Sequence, residues 1–291
     1  MGQSFWAFQL LTSWKNLAGL AAVARVRNFV QSIRHMRDRH RSACACPLVG
    51  AGVEESSKLT VILMNHKRPE NVAMIARHVL RSGFVGRLVI SNNSQDYRIE
   101  RYVPFRDERL VLLDQERPSG VGIRFELAKR YPARYYLCID DDIFLHPAQL
   151  QWIYARLCAS GEQPHGIFGA AFSPDESQSK EWPFVHRRGA SVPVDILNGL
   201  FAFTRIQLEE YFRLCDVLGI HDPASLMNGE DIILSFSGER RPLIHNVGPI
   251  WECASASTPG VALHVSRPRF YEERWKLFSA LRAAKPLFAP S

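Results

Sequence analysis

Residues 135–146 read Tyr-Tyr-Leu-Cys-Ile-Asp-Asp-Asp-Ile-Phe-Leu-His, and the reading of this stretch decides the fold. Tyr135 to Ile139 is a short run of aromatic and branched side chains, the composition of a strand buried on both faces. It stops at Asp140, Asp141 and Asp142. Three carboxylates at the end of a buried strand repel one another and resist desolvation, so a cation has to neutralise them. The carboxyl end of a strand in an open α/β sheet is also where ligands bind. A hard divalent ion, held by a few carboxylates and completed by a substrate's phosphate oxygens, meets both demands. The competing reading is a solvated turn that caps a helix. Pro147 argues against it, because Pro147 and not Asp142 stands where the next helix would open.

Upstream of this stretch, from Lys58 onward, apolar runs alternate with helical patterns, which predicts an α/β domain. Leu59–Met64 is the first strand and ends in Asn65-His66-Lys67-Arg68-Pro69; a helix over 70–82 follows. A second strand, Arg87–Ile90, ends in Ser91-Asn92-Asn93, and Val111–Leu113 is a short third. A helix over 122–131 precedes the central strand. Polar or charged residues thus follow three strand ends: Arg68, the pair Asn92/Asn93, and the aspartates. Strand ends that face one crevice suit a nucleotide. No Gly-x-Gly-x-x-Gly or Walker sequence accompanies them, which argues against Rossmann cofactors and P-loop chemistry.

Downstream, a helix over 147–160 leads to a strand at Gly166–Phe172. Residues 173–191, with Trp182 and His186-Arg187-Arg188, read as a loop or hairpin at the rim of the site. Val192–Leu197 and Leu200–Phe203 are apolar runs separated by Asn198-Gly199, and a helix over 206–218 follows. In Asn228-Gly229-Glu230-Asp231, Asn228 is a natural N-cap, and the two acids would sit in the first helical turn, favoured by the helix dipole. That is a sufficient structural reason for both acids. A strand at 242–246, a Ser/Thr/Gly-rich stretch at 254–260, then His264, Arg267, Arg269 and an aromatic amphipathic helix over about 266–283 complete the chain.

The net charge of +7 over 291 residues would suggest a polyanion partner if it were spread over the body. It is not. Residues 1–46 carry seven basic residues (Lys15, Arg25, Arg27, Arg34, Arg37, Arg39, Arg41) against the single acid Asp38, so no nucleic-acid surface is expected on the rest. Apolar side chains recur at helical spacing through residues 1–40, among them Leu10, Trp14, Leu17, Val26, Ile33 and Met36. The uncharged stretch Asn16–Ala24 is far short of the ~20 residues a membrane span needs. Its basic residues follow the apolar part, unlike a secretory signal, and Trp6 spoils the myristoylation pattern at Met1-Gly2. A basic amphipathic helix of this kind either lies on a membrane surface, binds a partner, or packs on the body. Residues 41–57, with Pro47, Gly50 and Gly52, read as a linker, giving a segment 1–57 and a domain 58–291. The six cysteines are scattered, Cys44 and Cys46 lack a second ligand pair for zinc, and a reduced compartment is expected. Cys138, Cys158 and Cys215 read as small packing residues.

These marks, in this order over roughly residues 58–283, resemble the GT-A superfamily of nucleotide-sugar glycosyltransferases. More narrowly they look like the carboxy-terminal catalytic domain of the exostosin and exostosin-like family, which transfers hexosamine units from UDP-sugars. The resemblance rests on Arg68 after the first strand, Asn92-Asn93 after the second, the aspartate triplet, Gly199 within Ile196–Phe203, the acid pair Glu230-Asp231, and His264 with Arg267. It implies an α/β fold of GT-A type, a Rossmann-like mixed sheet flanked by helices, preceded here by the amphipathic segment. It implies Mn²⁺ or Mg²⁺ on Asp142, with Asp140 and His264 contributing. Arg68, Asn92, Asn93, Arg124, Asp140, Asp141 and Gly199 would hold the UDP-sugar, Gly199 by letting backbone approach closely. Asp231 would face the anomeric centre, with Glu230 beside it, and Arg267 would neutralise the leaving phosphate. Breaking a glycosyl–phosphate bond develops negative charge on the diphosphate and positive charge on the sugar, which gives the cations and the carboxylate their work. The implied activity is transfer of an N-acetylhexosamine, with retention, to a glycan or glycolipid at a membrane; the few cysteines and the poor match to a secretory signal favour the cytoplasmic face over the Golgi or ER lumen. Gly229 stands where the family often has another residue, and Ser173–Val192 does not match closely. Two other readings stand beside it: a nucleotidyltransferase acting on sugar phosphates, which would want a Gly-rich loop after the first strand, and a non-catalytic module that binds a nucleotide sugar or glycan.

Overall fold

A computed structural model describes residues 54–171, 191–248, 250–253, 255–256 and 258–285. The expectations for the amphipathic segment 1–40, for Cys44 and Cys46, and for the rim loop with Trp182 and His186-Arg187-Arg188 lie outside the described residues.

The centre of the molecule is an eight-stranded mixed sheet in the order β3 (Leu110–Asp114), β2 (Val85–Asn92), β1 (Leu59–Asn65), β4 (Tyr135–Asp140), β10 (Leu200–Thr204), β6 (His165–Gly166), β11 (Leu243–Ile244), β8 (Val192–Pro193). Its first half is parallel: β1 (Leu59–Asn65) lies between β2 (Val85–Asn92) and β4 (Tyr135–Asp140), and β3 (Leu110–Asp114) pairs with β2. A strand flanked on both edges and covered on both faces has no polar side, and all seven residues of β1 are buried. Its side chains alternate between two layers, Leu59, Val61 and Leu63 to one and Ile62 and Met64 to the other. In β4, Tyr135, Leu137 and Ile139 face the first layer, and Tyr136 and Cys138 the second.

Two helices cover the first layer. α1 (Pro69–Leu80) starts at a proline whose missing N–H costs nothing there, and α3 (Pro147–Ala159) starts the same way. α3 is also capped by its neighbours: Ala148 N donates to His146 Nδ1 (3.3 Å), and His146 N donates to Gln149 Oε1 (2.8 Å). The second layer is covered by α2 (Ile123–Arg130), α4 (Arg205–Val217), the short α5 (Glu230–Ser235) and the last long helix, α7 (Phe270–Ala284), which follows the single turn α6 (Leu263–Ser266).

The second half of the sheet is more broken than the apolar runs suggest. β10 (Leu200–Thr204) runs antiparallel to β4, so the sheet turns mixed at its middle. The run expected as one strand at 166–172 divides into β6 (His165–Gly166), in the main sheet, and β7 (Phe168–Ala170), which leaves it to pair with β9 (Ile196–Asn198). The run at 192–197 divides likewise into β8 (Val192–Pro193), beside β11 (Leu243–Ile244), and β9. Two short strands, β5 (Ile143–Phe144) and β12 (Trp251–Glu252), form a ribbon just past the aspartates. Cys138, Cys215 and Cys253 are buried free thiols, whereas Cys158, expected to pack inside, is exposed. Among the described residues no helix is long and apolar enough to cross a membrane.

One cap differs from expectation. Gly229, not Asn228, is the N-cap of α5, with φ +90° and no side-chain cap. A Cβ there would stand 2.5 Å from Leu277 Cδ2 of α7, so both backbone angle and close packing require glycine. Asn228 instead donates to Phe270 O (2.9 Å), tying the start of α5 to α7. Gly229→Ala is therefore expected to destabilise the protein by about 1–2 kcal/mol for the left-handed backbone alone. Thermal melting would show this as a lower midpoint, and an unchanged midpoint would contradict it.

Candidate active site

The carboxyl ends of β1, β2 and β4, the first turn of α5 and the face of α7 beneath it converge on one region. Its charges form two buried groups.

The first is built on Arg68, the last residue before α1. Its Nη1 donates to Asp141 Oδ1 (2.6 Å), and its Nη2 lies 3.2 Å from Asp142 Oδ2. Nε donates to Ser255 Oγ (2.8 Å) and Nη2 to Ser255 O (3.1 Å). Asp141 is buried and also accepts from His66 N (3.0 Å), while Asn71 Nδ2 donates to its carbonyl (2.8 Å). Burial opposes the charge on Arg68, but Asp141 and Asp142 outweigh it and hold the guanidinium pKa above its ordinary value. The cation that the triplet demands is thus supplied in large part by the chain. Arg68, expected at the nucleotide, is spent on the aspartates and Ser255, and Asp141 is spent on Arg68 and His66 N. Asp142 keeps a carboxylate whose side chain is 19% exposed.

The second group is built on Arg124 of α2 and Arg274 of α7. Arg124 Nη2 donates to Asp140 Oδ1 (2.8 Å) and lies 3.7 Å from Glu230 Oε1; Nε donates to Val121 O (3.1 Å), and the guanidinium stacks on Phe201. Its Nη1 is buried with no hydrogen-bond partner. Burial opposes its charge as well, and Asp140 and Glu230 outweigh that. Arg274 grips Asp231 through two bonds, Nη1 to Oδ1 and Nη2 to Oδ2, each 2.7 Å. Asp231 Oδ1 accepts further from Ile232 N (2.9 Å), and the Asn198 amide donates to Oδ2 (3.1 Å). Burial first, and then the negative charge of Asp231, push the Glu230 carboxyl up to about 7, against the pull of Arg124 and Arg274.

The raised value has a sign. A carboxyl that takes up protons more readily when folded stabilises the fold fully below about pH 4.5, its ordinary value, and loses that contribution as pH rises through about 7. Glu230→Gln is expected to remove this slope, raising relative stability at pH 8 over pH 4.5 by on the order of 3 kcal/mol. Melting curves of both proteins across that range would check it; parallel profiles would contradict it.

His264 stands between the two groups. Burial first, then Arg68 and Arg274, lower its pKa and keep it neutral at neutral pH. Arg267 pairs with Glu273 (Nε to Oε2, 3.0 Å) on the outer side of α7. Gly199, φ +66°, sits between β9 and β10; its carbonyl accepts from Asp140 N (3.2 Å), and a Cβ would meet Ile143 Cδ1 at 2.8 Å. The left-handed backbone angle is what calls for glycine there. Asn92 is wholly buried: its amide nitrogen donates to Ser94 O, Tyr97 O and Asp114 Oδ1, and its oxygen accepts from Asn65 Nδ2 and Ser94 N. That satisfies the whole amide and makes it a brace between β1, β2 and β3. Asn93 is pinned to Ser119, donating to its carbonyl (2.6 Å) and accepting from its N–H (2.8 Å). Sequence reasoning missed Arg274, Asn198, Asn71 and Ser255.

Asp140, Asp142 and His264 were expected to share a metal ion. Among the described residues no three His, Cys, Asp or Glu side chains gather as an ion's ligands would. The reason is visible: Arg124 holds Asp140, and His264 lies toward Arg68 and Arg274. The donor set is therefore not a cage made by protein alone. It does fit a hard cation that takes one or two carboxylates and completes its shell with phosphate oxygens and water. Asp140 and Asp142 are the partly exposed carboxylates of the triplet, 33% and 19%, each beside an arginine.

No protein-family model matches the sequence, and no curated protein sequence matches it either. Solved structures do. GalNAc-T7, solved with UDP, GalNAc and Mn²⁺, aligns with a TM-score of 0.55 at 13% identity over 78% of this chain and 48% of that one. TarS of S. aureus (residues 1–349), solved with UDP-GlcNAc, aligns with a TM-score of 0.50 at 14% identity over 80% of this chain and 68% of that one. This chain spans about half the length of the GalNAc-T7 structure. At such identities the likeness is one of fold. The fold is of the GT-A type: a mixed sheet, parallel in its first half, with helices on both faces.

Proposed function

We propose that this protein is a divalent-metal-dependent glycosyltransferase that moves a sugar, an N-acetylhexosamine, from a UDP-sugar to a glycan or glycolipid acceptor. The observation that carries the reading is the pairing of charges at the strand ends of a GT-A-type fold. Arg68 locks Asp141 and reaches Asp142, whose side chain stays 19% exposed, and Glu230 and Arg124 stand beside Asp140. Asp142 would hold Mn²⁺ or Mg²⁺, and a bound divalent ion supplies charge neutralisation for a leaving diphosphate. Arg68 fixes the direction of the Asp142 carboxylate and adds a second positive charge close by. Neutral His264 offers a ring nitrogen next to that charge without adding a third cation. Asp140, aimed by Arg124, stays one-third exposed and can accept hydrogen bonds from sugar hydroxyls.

The exostosin-like kinship rests on the sequence marks, and retention at the anomeric carbon on that resemblance alone. The nucleotidyltransferase reading is weakened, because β1 ends at Asn65 and α1 begins at Pro69, with a three-residue link between them, free of glycine, whose Arg68 is turned inward. The amino-terminal segment 1–40 would hold the enzyme at a membrane surface. The test is release of UDP from UDP-N-acetylglucosamine and UDP-N-acetylgalactosamine with Mn²⁺ present. Metal-dependent UDP release is the expected result. Neither release nor UDP binding would overturn the reading.

A further inference from the structure

Over the body as a whole, basic and acidic residues nearly balance, but their placement is uneven. Four exposed cations gather at the amino ends of the strands, the end opposite the aspartates. Arg87, near the start of β2, and Arg130, the last residue of α2, both lie against the ring of Tyr131, 5.3 and 5.7 Å from its centroid. Lys129 lies 4.6 Å from the ring of Phe212 on α4, and Arg134 5.1 Å from that of Tyr135, the first residue of β4. Arg205 N donates to Arg134 O (3.0 Å), and Leu59 pairs with Tyr135, so Arg205 and Lys58 border the same group. Glu209 pairs with Arg205 and Glu55 with Lys58. Among the described residues, Arg87, Lys129, Arg130 and Arg134 have no carboxylate at ion-pair distance. Beside Arg205 stands Ile206, 75% exposed.

We propose that this face of the body docks on a bilayer that carries anionic lipid. Like charges gathered without acids repel one another, and a negatively charged surface offsets that repulsion. Two observations favour lipid over nucleic acid. The rings of Tyr131, Phe212 and Tyr135 already carry the protein's own cations instead of standing open to stack on bases. Ile206 presents an aliphatic side chain beside the cations, the combination that suits the headgroup boundary. The chain adds a third argument. Residues 1–46, with seven basic residues against one acid, lead into the body at this end, where Ser57 O accepts from Tyr154 OH and Lys58 precedes β1. The docking face thus continues the basic amphipathic segment. It deepens the membrane placement proposed for residues 1–40 and does not depend on the sugar chemistry. The seven residues of β1 span roughly 20 Å from this face to the site, so the docked protein keeps its crevice clear of the lipid.

The test is co-sedimentation of the full chain with phosphatidylcholine vesicles, with and without about one-third phosphatidylserine, at about 0.1 M salt. Wild type should bind the anionic vesicles at least about 30-fold more tightly than the neutral ones. The quadruple variant Arg87→Gln, Lys129→Gln, Arg130→Gln, Arg134→Gln should lose at least about 30-fold in affinity for the anionic vesicles. Its melting temperature should stay near that of wild type, since all four side chains are exposed. Should it melt lower by more than about 5 °C, two double variants decide instead, Arg87→Gln with Arg130→Gln and Lys129→Gln with Arg134→Gln, each losing at least about fivefold. Ile206→Ser, which changes no charge, should lose about fivefold on the anionic vesicles. The proposal is overturned if the charge variants bind anionic vesicles as wild type does, which would leave docking to residues 1–46 alone. It is overturned too if wild type binds neutral vesicles equally well, or binds neither kind. Tighter binding of wild type to a short duplex RNA than to anionic vesicles, lost in the quadruple variant, would assign the face to nucleic acid and overturn it as well. No nucleotide sugar enters these measurements; a parallel titration with UDP and Mn²⁺ reports separately on the glycosyltransferase reading.

Discussion

Arg68→Ala should lower the melting temperature by on the order of 10 °C, the largest stability effect of any single change at the site. The guanidinium is buried and makes four contacts: two to the carboxylates of Asp141 and Asp142, two to Ser255. Removing it strands Asp141, which is 3% exposed and would be left with His66 N as its remaining donor. Breaking a buried ion pair from one side costs about 3–5 kcal/mol, because the charge left behind is neither solvated nor paired. Lysine should rescue little, since a single ammonium cannot reach two carboxylates and both polar atoms of Ser255 together. Taking out both partners, with Arg68→Met and Asp141→Asn, should cost less than Arg68→Ala alone. Denaturant or thermal melts of the three proteins check this order. Equal stability of wild type and Arg68→Ala would mean that the aspartates are neutralised by something other than this arginine.

Asp142→Ala should have the opposite profile: a modest effect on stability and a loss of at least about 100-fold in Mn²⁺-dependent UDP affinity. Arg68 keeps its 2.6 Å bond to Asp141 without Asp142, so the buried pair survives. What disappears is a partly exposed carboxylate two residues past the end of β4. Because the donor set lacks a third protein ligand among the described residues, loss of one carboxylate leaves little to hold an ion. The contrast between the two variants separates scaffold from ligand within one triplet of aspartates. An Asp142→Ala protein with wild-type affinity would place the metal elsewhere.

Much of this was legible in the chain. A run apolar on both faces, as in Leu59–Met64 and Tyr135–Ile139, can only be an inner strand, and both are. Proline at the first helical position marked α3, whereas Pro69, read as the end of the preceding loop, opens α1. The demand of Asp140–Asp142 for positive charge was also legible, but not its source. Sequence reasoning assigned it to a metal ion, whereas Arg68 and Arg124 supply much of it through pairings that only the folded sheet creates. Arg274 was missed because its partner lies 43 residues away. A signal existed: Arg274, Phe278 and Leu281 fall at i, i+4 and i+7, so a charge occupies the apolar stripe of α7 and needs a buried partner. Arg124 repeats the pattern with Leu127 and Ala128 in α2. Asn228 was read as the cap of α5 because Asn is a good cap, but the approach of Leu277 places glycine at that position and frees Asn228 to bind α7. The split of the runs at 166–172 and 192–197 followed from pairing between β7 and β9, which no local pattern announces.

The most direct test of the central claim is calorimetric titration of the wild-type protein with UDP, in the presence and absence of Mn²⁺. Binding that requires the metal, and that Asp142→Ala abolishes, is the result this account predicts. Tight binding without metal, or no binding at all, would contradict it and take the aspartate triplet out of the function.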